Sequence, residues 1–377
     1  MGSTRPLASA RQGSECARFS GLLAAAVAGC ATAPPPQPVV WPEAPEVPRI
    51  RFVRAFRGTD DLRPEPFQRF LRSVFGDPHD PKLSQPMGIA VSDDGLRLYV
   101  ADLGLGHVLK VDLEEERVDY FAPDEGMGKP FAVALDANEN VYVTDSSGGG
   151  VRVFDLDGEL LKTIAASHLE RATGIALDRK LRRIYVADAS GLKSSNHRVR
   201  AFDLDGRFLF DVGPKESPPA RGDRDGELFF PTFLSLGPDH HLYVVDTMNF
   251  RIQVFDAAGK FVRKFGEHGD TPGTFSRLKG IAFDGFGNLY VVDGGHSNVQ
   301  IFNEHFDPLM YFGGYAPKLE FFDVPSGIAI DPRTNMIYVA NQFIARVNQY
   351  ELINTRPEDS VPPPVPEDVA TSTISGS

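Results

Sequence analysis

Cysteine is nearly absent from this chain: there are 2 in 377 residues, Cys16 and Cys30. Both fall in the first thirty positions, so no disulfide can cross-link the body beyond them, and its own core must hold it. Tryptophan is scarcer still, with one residue, Trp41, against 28 Phe and 10 Tyr. Long apolar runs are missing too. The candidate Gly21–Gly29 is far shorter than the roughly 20 residues that a bilayer-spanning helix needs. Positive charge is also in deficit: the formal net charge is −12, which argues against nucleic acid as a partner, because phosphate binding requires a basic surface.

What the chain does have is punctuation, with 36 Gly and 30 Pro, and a phrase that returns six times. A proline or small-residue step leads into an apolar strand, and a second strand then ends on a Tyr-Val-x-Asp run. The clearest copies are Pro86-Met-Gly-Ile-Ala with Leu98-Tyr-Val-Ala-Asp102, and Leu278-Lys-Gly-Ile-Ala with Leu289-Tyr-Val-Val-Asp293. The strand-end residues are Asp102, Asp145, Asp188, Asp246, Asp293 and Asn341. They recur every forty-odd residues, apart from one longer step that locates an insertion between Gly213 and Gly226. A repeat of this period, built from four short alternating strands, is a propeller blade. The fold class is therefore all-β, a six-bladed β-propeller.

The sixth copy runs out at Gln349-Tyr-Glu-Leu352, short of a fourth strand. Ile50-Arg-Phe-Val-Arg-Ala-Phe56 has the pattern of one, so the sequence predicts a ring closed by an N-terminal strand that completes the last blade. A short helical insertion is expected at Pro64–Phe75, where Phe67, Phe70, Leu71, Val74 and Phe75 share one helical face.

The termini read differently. Arg5, Arg11 and Arg18 precede the apolar stretch at 21–29, which ends in small residues at Val27-Ala-Gly-Cys30. This resembles the lipobox of bacterial lipoproteins, which implies cleavage before Cys30 and lipidation of that cysteine; the alternative is an ordinary signal peptide cut at Ala31-Thr-Ala33. By the same resemblance, Ala at position 31 favours the outer membrane. The expected organisation is a signal peptide at 1–29, a Pro-rich linker at 30–49, the propeller at 50–353 and a disordered tail at 354–377.

Thr247-Met-Asn-Phe-Arg-Ile-Gln-Val-Phe-Asp256 carries a resemblance to the NHL-repeat family, which extends over about residues 50–353. Arg198, Arg251 and Arg346 match the family arginine, whereas His107, Gly150 and Asn298 depart from it. The resemblance implies the fold and is nearly silent on chemistry, because the family includes enzymes, scaffolds and RNA binders.

For chemistry, the strand-end carboxylates form a ring that would suit a hard cation such as calcium, or simply cap their own turns. Recurrence in nearly every blade favours the capping role. His79, His107, His168, His197, His268 and His296 fall on the loop face of the propeller, and His240, His241 and His305 on the opposite one. No His-x-His or His-x3-His spacing links them. Peptide-amidating lyases, which resemble this fold, place zinc-binding histidines at the starts of the innermost strands. Met87, Phe131, Thr173, Thr232, Lys279 and Ser326 stand there in this chain, and an acidic motif like that of gluconolactonases is not visible either. No cofactor is therefore predicted, with calcium or zinc as the exception to test.

The sequence thus points to an exported, lipid-anchored, non-catalytic binding or scaffold module of the cell envelope, with a membrane anchor at Cys30 and a protein partner. Its candidate binding face comprises Phe67, Phe70, Leu71, Phe229, Phe230, Phe321 and Phe322. The alternative is a metal-dependent hydrolase or lyase at the channel mouth, using His107, His197 and His296.

Overall fold

Six antiparallel sheets stand around a common axis, and the chain visits them in order. The structure is a computed structural model and describes residues 37–63, 81–165, 167–191, 194–213 and 221–355. The blades described here belong to one unit, Pro38–Ser377. The signal peptide with Cys16 and Cys30, the helix expected at Pro64–Phe75 and nearly all of the tail lie outside the described residues.

Blades I to V each contain four consecutive strands, starting from innermost strands at Pro86–Val91, Pro130–Leu135, Ala172–Asp178, Pro231–Leu236 and Leu278–Phe283. Blade VI starts at Pro325–Asp331, continues through Met336–Asn341 and Arg346–Leu352, and takes its fourth strand, Ile50–Phe56, from the N-terminal side of the chain. In that pairing Ile50 lies opposite Leu352, and Phe56 opposite Val347. The ring is closed as the sequence predicts.

One expectation needs correction. The stretch before residue 50 is not all spacer, because Val40–Trp41 adds a fifth strand to blade VI by pairing with Ile50 and Arg51. The physical reason is Trp41. Its ring packs on Tyr350 at 5.8 Å and on Phe312 and Phe321 at 6.2 Å each, which removes a large apolar surface from water.

The seams between blades follow from period-two alternation along each second strand. In blade I, Leu98 and Val100 join the apolar cluster shared with blade VI, while Tyr99 and Ala101 join the one shared with blade II. In blade V, Tyr290 and Val292 face blade VI, and Leu289 and Val291 face the other way. Each strand is therefore buried on both sides, and the Tyr-Val-x-Asp phrase is apolar through its middle for that reason.

Near the axis the innermost strands pack edge to edge around the ring, with Pro325–Asp331 against Pro86–Val91 at the closure. All six share one irregularity. The pairing with the second strand breaks after the first residue and resumes three residues later, as from Pro86 to Ile89 and from Leu278 to Ile281. The bulge presses each strand against its neighbour. A Cβ added at Gly88 would stand 2.6 Å from the Ala132 Cα, and one at Gly327 would collide with the Met87 carbonyl oxygen. Glycine is needed at these two positions because backbone approaches backbone.

A second periodic feature sits three residues before each innermost strand. Leu83, Met127, Leu169, Leu228, Phe275 and Phe322 are all buried there. They plug the loop-face end of each seam. The sequence reading missed this six-fold plug, although the fixed offset from the strand start carries the signal.

Candidate functional site

The loop face gathers the turns after each second strand, the lead-ins to each innermost strand and the mouth of the central channel. The strand-end acids anchor this face, and the structure shows how they are used. Asp102 is fully buried, and it accepts hydrogen bonds from the backbone N–H groups of Ser84, Gln85, Gly104 and Leu105, at 2.8 to 3.0 Å. Asp293 does the same for Ser276, Arg277, Gly295 and His296. Each acid ties the lead-in of its own blade to the following turn, satisfying amides that water cannot reach.

The arginines that match the family pattern reinforce the device in two blades. Arg251 Nε donates to Asp246 at 2.8 Å, and Arg198 Nε lies 3.4 Å from Asp188. The local balance differs between blades. Burial pushes Asp145 up, but the Ser147 hydroxyl and backbone N–H donors outweigh it and leave the carboxyl below its usual range. In Asp246 burial wins over Asn249, the Phe229 amide and Arg251, and the carboxyl lies above that range. These oxygens are already committed to the protein's own donors, so the ring acts as internal scaffolding.

The candidate histidines fall at separate blades. His107 opens the third strand of blade I, its ring 5.1 Å from Tyr120. His197 opens the third strand of blade III and is buried against Phe229 at 5.4 Å and Phe230 at 5.8 Å. Burial first, and Arg221 second, hold its imidazole below the ordinary value. His296 follows the second strand of blade V, with Nδ1 2.8 Å from Asp293 and Nε2 3.2 Å from Asp270. His268 packs on Phe250. His79 lies outside the described residues. Among the described residues no group of three or more His, Cys, Asp or Glu side chains is arranged to hold a metal ion. His107, His197 and His296 are not brought together, because each belongs to a different alternate blade.

The aromatic candidates also separate. Phe229 and Phe230 are half-buried ahead of blade IV, with the Arg221 guanidinium 4.0 Å from the Phe229 ring centre and that of Arg171 5.5 Å from Phe230. Phe321 is half-buried two blades away, beside Trp41 and Lys318. Phe322 is the plug of blade VI, fully buried against Phe312 and Tyr350, and it is withdrawn from the binding face. The two pairs therefore do not make one groove, because blade V stands between them. Phe67, Phe70 and Leu71 lie outside the described residues.

The structure adds a surface that sequence reasoning missed. Tyr315, Leu319 and Phe343 are 77%, 59% and 63% exposed on the loop face of blade VI and its lead-in. Leu319 and Phe343 line a cavity of about 620 Å³ together with Phe56, Arg57, Asp61 and Arg346 among others. Of the lining residues, Arg346 is held in place by donating to the carbonyls of Lys318 and Phe321 at 2.9 and 2.7 Å. A cavity lined by both apolar and charged side chains suits a protein or peptide ligand.

Comparisons with known proteins agree on architecture. Residues 77–190 match the model of the SMP-30/Gluconolactonase/LRE-like region, and residues 237–309 match a model described as 6-bladed beta-propeller. The protein Brain tumor of Drosophila melanogaster is 30% identical over 132 residues, covering 34% of this chain and 11% of that protein. Mouse peptidyl-glycine alpha-amidating monooxygenase is 26% identical over 245 residues, covering 61% of this chain and 24% of that protein. The chain thus spans a quarter or less of the length of these relatives. Among solved structures, a protein of unknown function from Bacteroides thetaiotaomicron superposes with a TM-score of 0.58 at 16% identity, covering 72% of this chain and 70% of that one. A gluconolactonase from Xanthomonas campestris gives 0.55 at 18% identity, covering 72% and 86%. A streptogramin B lyase gives 0.52 at 14%, covering 72% and 94%. At these identities the likeness speaks for the fold alone.

Proposed function

The chain is a six-bladed β-propeller built from NHL-like repeats, and on that premise we propose that it is a non-catalytic binding module of the cell envelope. It would be held to a membrane by a lipid on Cys30 and would engage a protein partner through its loop face. The observation that carries this reading is the exposed pair Leu319 and Phe343 lining the cavity at blade VI, with the exposed Tyr315 in the same lead-in. Large apolar side chains exposed together next to a concave surface mark an interaction site more often than chance. The strand-end acids, by contrast, are occupied with internal hydrogen bonds.

The test is photo-cross-linking in intact cells from a reactive residue placed at position 343 or 315, with position 286 on the opposite face as the control. A single adduct from 343 and 315, absent from 286, is the expected result. No adduct from either loop-face position would sink the reading. The anchor is tested separately: Cys30→Ser should release the protein from the membrane fraction.

A second reading, a metal-dependent hydrolase or lyase, is favoured by the gluconolactonase-type match over residues 77–190. Its sequence candidates, His107, His197 and His296, lie in separate blades, so on this reading one of them would act with nearby Asp rather than all three together. Elemental analysis of the purified protein distinguishes the two, since a stoichiometric transition metal would overturn the binding-only reading.

A further inference from the structure

One channel-mouth position breaks the ring's symmetry. The first bulge residue of each innermost strand is Met87, Phe131, Thr173, Thr232, Lys279 or Ser326. Two of the three hydroxyl residues among them staple blade to blade. Thr173 Oγ1 donates to the Pro231 carbonyl at 3.1 Å, and Ser326 Oγ donates to those of Pro86 and Met87 at 2.9 and 3.1 Å. In blade IV, Thr232 bonds instead to Thr247, the residue after the strand-end Asp, at 2.6 Å. Blade V replaces this pair with Lys279 and Gly294. The missing side chain at Gly294 leaves room for the lysine stem: a Cβ there would lie 3.4 Å from Lys279 Cγ and 3.2 Å from the Pro325 carbonyl oxygen. The Lys279 stem thus lies beside Gly294, which in turn adjoins the Pro325 carbonyl of blade VI.

No ion pair of Lys279 is formed among the described residues, nor any of Arg277, two residues earlier in the lead-in. The carboxylates nearest in the chain are otherwise engaged or apart. Asp293 binds the Ser276 and Arg277 amides and His296, and Asp270 meets His296. Asp323, in the lead-in to blade VI, pairs with neither cation. Burial first, and Arg277 second, pull the Lys279 ammonium down to about 8, which marks a cation held without a counter-ion. The residue immediately before the innermost strand is also cationic in blades II and III, Lys129 and Arg171. These cations share the loop face with the strand-end acids, whose oxygens are already taken by the protein's own donors.

We propose that the channel mouth at blade V binds a small organic or inorganic anion, a carboxylate or phosphate group, with Lys279 and Arg277 as its direct ligands. A guanidinium supplies a planar donor fork and an ammonium a point charge, a combination suited to either oxyanion. Arg171 and Lys129, at the matching lead-in position of blades III and II, carry further positive charge on the same face.

The experiment is isothermal titration calorimetry of the full chain with sodium phosphate and, separately, with citrate, at low ionic strength. Saturable binding of at least one of them is expected. It should weaken at least tenfold in Lys279→Met and in Arg277→Gln, and remain unchanged in Lys264→Met, a surface control on an outer strand. Thermal melting of each variant confirms folding, and Arg277→Gln keeps the test intact should Lys279→Met misfold. The absence of saturable heat with both anions would overturn the proposal, as would binding by both channel variants as tight as that of the wild type. The partner reading is independent of this result, since cross-linking from positions 315 and 343 involves neither residue.

Discussion

Arg251 and Asp246 form a buried pair in blade IV, with Nε 2.8 Å from Oδ2 and both side chains almost without solvent contact. The arginine also donates to the carbonyls of Asp223, Arg224 and Glu227, so one guanidinium pins the strand end and the loop ahead of the blade together. In blade VI the corresponding Arg346 faces Asn341 rather than a carboxylate, and bonds to Asn348 and two carbonyls instead.

Arg251→Ala should therefore cost about 3–5 kcal/mol, the range for leaving a buried charge without its partner. Arg346→Ala should cost less, because it strands no charge. Urea denaturation of the two variants checks the order, and equal losses would refute the role assigned to the Asp246 pair.

Phe56→Ala should cost about 3–5 kcal/mol, since it empties a buried site in the closing strand. Val53→Ala, on the exposed side of the same strand, should cost far less. Trp41 is the chain's one tryptophan and packs within the closing blade, so its fluorescence reports closure while far-UV circular dichroism reports all six blades. Both midpoints should fall together in Phe56→Ala. A fluorescence shift with an unmoved dichroism midpoint would show that closure does not hold the ring.

Lys279 gives a pH dependence with a definite sign. Its folded value of about 8 lies below the ordinary 10.5, so between these values the unfolded chain binds more protons than the folded one. The stability contributed by this residue thus rises from pH 8 to about pH 10.5, and below pH 8 its charge is a constant penalty. Lys279→Met should stabilise the protein at pH 7 by about 1–3 kcal/mol, discounted because the residue is only half-buried. The difference from wild type should shrink toward pH 10, and a difference that does not vary with pH would rule out this origin.

His197 works on the acid side. Burial and Arg221 depress its folded pKa below the ordinary value of 6.5, so the unfolded chain gains the proton first as pH falls. Its contribution is complete above pH 6.5 and is lost as pH drops below it. His197→Gln should flatten the decline in melting temperature between pH 7 and 5, and an identical slope would refute the assignment.

Much of the ring was legible from sequence, because repetition exposes local rules. Asp102 and its counterparts recur since every blade must satisfy the same orphaned amides, and Ile50–Phe56 was recognisable since the last blade lacked a strand. The candidate surface was less legible. Phe229-Phe230 and Phe321-Phe322 look alike as dipeptides, yet Phe322 fills a seam and Phe229 meets a guanidinium. Their fates depend on an offset of one position from the plug, which sequence similarity between the pairs conceals. In the sequence Trp41 falls within a Pro-rich linker, and the aromatic pocket that receives it comes from residues about 270 to 310 positions away.

Period-two alternation, turn residues and a repeat of forty-odd positions were enough to specify six blades and their closure, since those are properties of neighbours along the chain. The tertiary structure alone decided which cations lack a partner and which apolar side chains stay in water. Both depend on what the next blade places opposite them. Lys279 is an ordinary letter in an otherwise regular repeat, and it becomes a candidate ligand only where Gly294 leaves room for its stem.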